Sequence, residues 1–157
     1  MTNETKQVFG SATTVISHAA TLNSGANTYN GGSTTMTELD NSSALYPMAR
    51  AVLDIPDTFA AAPSAGSSVD LYMTLNDIDG TSDQVQVPSG SSDLKAAIYV
   101  GSFPIEDTDE AQRIAINISL EGVAKAYFYI KNNCGQALSY SSNPVTVKIT
   151  PFSYGPT

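Results

Sequence analysis

The sequence predicts an all-β chain: an antiparallel β-sandwich, jelly-roll-like, of roughly eight strands, with a flexible N-terminal arm. Three observations lead there. Apolar and polar residues alternate with period two in several windows, which places every apolar side chain of a strand on one face. No window of comparable length carries a helical period. Clusters of Gly, Pro, Ser and Asn break the alternating runs into short pieces, as turns between strands require.

Taken in order, Met1–Gly10 reads as the arm and residues 11–157 as a single domain. Val8-Phe9 is a short extended piece within the arm, and Ala12–Leu22 is a strand candidate. Asn23–Thr35 carries Gly25, Gly31 and Gly32 among Ser, Asn and Thr, and is expected as a flexible loop or arm. A short piece at Thr37–Leu39 and a strand at Met48–Ile55 follow. Pro56–Ser68 is a connection. Ser68–Asn76 then alternates clearly, with Val69, Leu71, Met73 and Leu75 on one face. Pro88–Asp93 is a second connection, leading to a strand at Lys95–Val100.

In Arg113–Leu120 the alternating set is Ile114, Ile116, Ile118 and Leu120. Ala124–Lys131 places Ala126, Phe128 and Ile130 on one face, with Tyr127 and Tyr129 on the other. Asn132–Gly135 is a turn signal, and Val145–Thr150 is the last strand. Ser153–Thr157 reads as a tail, disordered or ordered against a neighbouring subunit. Several long connections among roughly eight strands fit two four-stranded sheets better than a tight up-and-down barrel.

Composition narrows the function classes. The chain has 157 residues, a formal charge of −8 and 41% hydrophobic residues, with only 14% charged. That combination argues against disorder, which needs low hydrophobicity with many charges. Seven Lys and Arg cannot cover a phosphate backbone, so nucleic acid is not an expected partner. With 19 Ser and 16 Thr the surface is one of hydroxyls and amides. Cys134 is the single cysteine, so no intrachain disulfide forms. The N-terminus lacks the pattern of a secretory signal, and no apolar run is long enough for a bilayer. The expectation is a protein made in a reducing cytosol, with no membrane partner.

Several residue groups invite a chemical reading. Asp77, Asp79, Thr81 and Asp83 place oxygens at alternate positions around Gly80, as a calcium loop does. The bidentate Glu of a helical-hand loop is missing, since Pro88 stands at its position, and no metal is expected there. A solvated acidic turn is the favoured reading, with a calcium site of another kind as the alternative. Glu106, Asp107, Asp109 and Glu110 form a second acidic loop without the separation that paired catalytic carboxylates need. His18 is the only histidine and is expected to be structural; Cys134 beside Gly135 is expected to be a turn residue. No nucleophile elbow and no phosphate-binding or dinucleotide-binding glycine loop occurs. The expectation is therefore no enzyme and no cofactor. Tyr72, Tyr127, Tyr129 and Tyr140 are the expected interface anchors, because aromatic rings dominate interface energetics.

The C-terminal third carries a further signal. Ile105–Arg113, the run Ala126-Tyr127-Phe128-Tyr129-Ile130-Lys131-Asn132-Asn133-Cys134-Gly135-Gln136-Ala137-Leu138-Ser139, and Val145-Thr146-Val147-Lys148-Ile149-Thr150-Pro151-Phe152 follow one another. A strand ending in a Lys-Asn-Asn-x-Gly-Gln turn, then a Val-x-Val strand closed by Pro and an aromatic, resembles small virion structural proteins of tailed bacteriophages. The resemblance implies a capsid decoration, or cement, protein made in the host bacterial cytoplasm. It would sit on the outer capsid surface as a homotrimer, bind the major capsid protein and stabilise contacts between its subunits. The arm Met1–Gly10 and the loop Asn23–Thr35 would then reach over neighbouring capsid subunits. The competing reading is a trimeric tail-associated β-sandwich that binds a receptor or glycan. A polysaccharide hydrolase stands third.

Overall fold

Strand pairing in this chain is dominated by its own C-terminus. The structure, a computed structural model, describes residues 5–29, 31–76 and 97–156. Ten strands occur among them: β1 (Thr5–Phe9), β2 (Thr13–His18), β3 (Thr34–Met36), β4 (Leu39–Asp40) and β5 (Met48–Ile55), then β6 (Ser68–Asn76), β7 (Ile98–Pro104), β8 (Gln112–Ser119), β9 (Lys125–Asn133) and β10 (Val145–Pro156). No helix is found among the described residues. Asp77, Asp79 and Asp83, the Pro88–Asp93 connection and the start of the Lys95–Val100 segment lie outside the described residues.

All pairings are antiparallel and build two sheets. The first runs β3-β2-β10-β5-β8, with β1 also on β10; the second runs β4-β9-β6-β7. From β3 onward the chain crosses repeatedly from one sheet to the other; β1, β2 and β3 lie together in the first sheet, and β6 and β7 are consecutive in the second. Strands β2, β10, β5 and β8 facing β4, β9, β6 and β7 give the jelly-roll arrangement of an antiparallel sandwich. The two strands beyond those eight, β1 and β3, extend the first sheet.

Period-two alternation explains the core. In β5, Ala49, Ala51, Leu53 and Ile55 are fully buried while the residues between them are not. In β10, Val145, Val147 and Ile149 do the same, and in β6 Val69 and Leu71 do. These side chains meet Phe103, Phe128, Ile130 and Leu138 between the sheets. Each fully buried Leu, Ile or Phe contributes about 1.5–3 kcal/mol.

Both ends of the chain differ from expectation. Residues 5–9 of the expected arm and 153–156 of the expected tail pair with each other as β1 and the far half of β10, in register from Thr5 with Pro156 to Phe9 with Phe152. The physical reason is that β10 outruns its body partners: β2 pairs only to Ile149 and β5 only to Phe152. The exposed backbone groups beyond that point are taken up by β1. Gly10 continues the ladder by donating to the Pro151 carbonyl at 2.8 Å. A Cβ at Gly10 would come within 2.8 Å of the Tyr46 ring, so the break between β1 and β2 falls where a side chain has no room.

The expected loop Asn23–Thr35 is also tied to the body. Gly25 and Thr28 donate backbone hydrogen bonds to Asn132 and Ile130, and Asn132 donates back to Ala26. The Thr28 hydroxyl accepts from the Ile130 amide at 3.0 Å. This segment therefore extends the edge of the second sheet along β9, on the side where Leu39 and Asp40 of β4 pair.

Candidate interaction surfaces

The outer face of the second sheet carries a row of tyrosines. Register places Tyr129 of β9 opposite Tyr72 of β6, and Tyr72 opposite Tyr99 of β7. Exposure rises across the row: Tyr129 is enclosed, Tyr72 half-buried and Tyr99 56% exposed. The Tyr72 and Tyr99 rings meet edge to face at 5.6 Å, a favourable aromatic geometry. Burial pushes both the Tyr129 and the Tyr72 hydroxyl above the ordinary tyrosine pKa, and the Asp70 charge adds to the effect at Tyr72.

A polar network borders this row. Asp70 accepts from the Ser68 and Ser102 hydroxyls through one carboxylate oxygen and from the Asn133 amide through the other. The Tyr99 hydroxyl and Ser102 share a hydrogen bond of 2.7 Å. Aromatic anchors inside a satisfied polar rim are the anatomy of a protein interface.

Of the four tyrosines singled out from sequence, Tyr72 and half-buried Tyr127 lie on this face. Tyr129, an expected interface anchor, does not offer a free ring, because it is fully buried. Its hydroxyl accepts from Thr74 at 3.4 Å, and Thr74 is itself buried. Tyr140 stands apart, 37% exposed in the β9–β10 connection. Tyr99 was missed because the strand candidate that carried it showed no clear alternation.

A second surface lies on the ribbon formed by β1 and the end of β10. Phe9 and Tyr154 share one of its faces and Val8 occupies the other; they are 48%, 63% and 45% exposed. The buried Phe152 ring supports the first two, at 5.7 Å from Phe9 and 5.8 Å from Tyr154. The Gln7 amide donates to the Tyr154 hydroxyl at 3.1 Å and orients that ring.

The other chemical candidates among the described residues have the following surroundings. Gln112 of β8 is buried and clamps the acidic loop, donating to the Glu106 and Thr108 carbonyls and accepting from the Glu106 amide. Phe59 donates to the Asp109 carbonyl from the other side. Cys134 is buried, its thiol donates to the Ser68 carbonyl, and burial pushes its pKa up to about 11. A thiol so protonated is a poor nucleophile at neutral pH. His18 is buried with Nδ1 at 2.7 Å from the Thr34 hydroxyl. Among the described residues, no three His, Cys, Asp or Glu side chains gather as a metal site.

The class that fold and surfaces define is an all-β sandwich with two aromatic surfaces. No family model matches the chain, and no curated protein matches it at significant similarity.

Proposed function

We propose that the chain is a phage virion structural protein of the capsid decoration type, which binds an assembled shell and stabilises contacts between its major subunits. The observation that carries this reading is the ribbon of β1 and β10 with its exposed Val8, Phe9 and Tyr154. An isolated two-stranded ribbon is marginally stable in water, so this one gains from lying against a neighbour. The resemblance of the C-terminal third to small phage virion proteins supplies the kind of neighbour, a major capsid protein. In the same reading the tyrosine face of the second sheet mediates self-association into a trimer. A protein that binds only the assembled lattice stabilises it by mass action, and many copies add avidity.

The test is co-sedimentation of the purified protein with empty expanded capsids and, separately, with isolated tails. The expected result is saturable binding to capsids together with a raised capsid melting temperature. The double variant Phe9→Ser/Tyr154→Ser is expected to weaken binding at least about tenfold while its own melting curve stays close to that of the parent. Binding to tails alone, or capsid binding indifferent to the double variant, overturns the proposal.

A further inference from the structure

A cavity of about 390 Å³ opens at one end of the sandwich, between the β2–β3 hairpin and the segment docked on β9. Its size falls within the range of small-molecule sites. His18 and Thr34 form one wall, and Leu22, Asn23, Asn27 and Tyr29 are among the residues of the other. The walls are held by backbone. Ala19 donates to the Ser33 carbonyl at 2.8 Å, and Leu22 exchanges two 3.0 Å hydrogen bonds with Leu138. The Asn132 amide also donates to the Leu22 carbonyl at 2.9 Å. A cavity fixed in this way costs a ligand little ordering entropy.

The lining is neutral: none of the described residues around the cavity is Asp, Glu, Lys or Arg. It combines two carboxamides, several hydroxyls, an aromatic ring and the apolar Leu22 and Ala26. The His18 ring is 7% exposed, and its Nε2 is enclosed without a hydrogen-bond partner. A buried polar atom left unpaired is costly, and such atoms call for an explanation. Burial lowers the His18 pKa, so the ring is neutral at physiological pH and adds no charge to the cavity wall.

We propose that this cavity binds a neutral, polyhydroxylated ligand, a monosaccharide unit, with Asn23 and Asn27 as hydrogen-bonding groups, Tyr29 as the ring against its apolar side and the His18 ring in the wall beside it. A charged ligand would be desolvated here without a counter-charge. A sugar presents hydroxyls that both donate and accept, matching the carboxamides and hydroxyls of the lining, and C–H faces that suit an aromatic ring. The proposal stands independently of the shell-binding reading, since it uses neither the ribbon nor the tyrosine row.

His18 is the only histidine, so its ring resonances need no assignment. The experiment is a titration of protein carrying ¹³C-labelled histidine with glucose, galactose and N-acetylglucosamine, followed by NMR. Cellobiose, lactose and chitobiose form a parallel arm, and inorganic phosphate is the charged control. The expected result is a saturable shift of the His18 ring signals with millimolar Kd for at least one sugar and none for phosphate. Equal or tighter binding of the matching disaccharide assigns the source as a glycan end; loss of binding assigns it as free sugar. Thr21→Trp, at an exposed position on the cavity rim, is expected to weaken binding about tenfold or more, while Tyr154→Ser leaves it unchanged. If Thr21→Trp does not fold, Ser33→Trp on the same rim replaces it. The absence of any saturable sugar shift, equal affinity in the blocked variant, or binding of phosphate overturns the proposal.

Discussion

Asn132, fully enclosed near the end of β9, turns one side chain into a junction for three backbone segments. Its amide nitrogen donates to the Leu22 carbonyl at 2.9 Å and to the Gln136 carbonyl at 2.8 Å, while its oxygen accepts from the Cys134 amide at 2.9 Å. Asn132→Ala strands the Gln136 carbonyl and the Cys134 N–H, and it leaves the Leu22 carbonyl with the Leu138 N–H alone. We expect a loss of about 3 kcal/mol, read as a lower urea midpoint with an unchanged slope. His18, the only histidine of the sequence, has a side chain that titrates near neutrality. Burial holds its pKa below the ordinary 6.5, so the unfolded chain takes up a proton at a pH where the folded chain does not. The contribution of the neutral ring is therefore complete above that value, declines as pH falls toward the lower native value, and then levels. Urea unfolding from neutral pH down to about pH 5 is expected to show falling stability, and His18→Gln to flatten that slope. The Asp40 carboxylate, held below its usual pKa mainly by the Ser42 hydroxyl, acts only in a more acidic window.

At the scale of elements, the ribbon ties the two chain ends to one another. Among the described residues, β1 pairs with β10 alone, and Ser153–Pro156 have no other strand partner. Deleting residues 153–157 is therefore expected to free Lys6–Val8 as well. Amide hydrogen exchange should become fast at those three residues while Val147–Ile149, held between β2 and β5, keep their protection. Unchanged protection of β1 would mean that it is anchored by something other than β10. This ribbon was hard to read beforehand, because Val8-Phe9 and Ser153-Tyr154 are too short for an alternating signal and belong to opposite ends of the chain. The docked segment from Gly25 to Thr28 was hidden for another reason. It binds β9 through backbone N–H and carbonyl groups, which every residue type possesses, and its Gly/Asn-rich composition describes only freedom to turn.

Over the whole molecule, the alternating runs were legible nearly to the residue. Met48–Ile55 and Ser68–Asn76 coincide with β5 and β6, and β8 is displaced by one residue from Arg113–Leu120. β10 starts where expected, at Val145, yet continues through Pro151 to Pro156 as it leaves the sandwich. Candidate site residues were legible in kind and less so in place. Tyrosines on β6 and β9 were visible as outward rings, but alternation reports only the side of a strand. It says nothing about what crosses that side, and so it could not distinguish enclosed Tyr129 from half-buried Tyr72. The partner Tyr99 enters through register, from a strand far along the chain.

By itself, the sequence determined that this protein is an all-β sandwich, where most of its long strands lie and which faces they bury. Those properties follow from side-chain chemistry at a spacing of two residues, which is local. Strand order, the union of the two termini, the tyrosine row and the cavity around His18 were decided only by tertiary structure. Each depends on backbone hydrogen bonds between distant segments. Those bonds are chemically alike in every strand, so the choice among partners is made when the two sheets close on a common core.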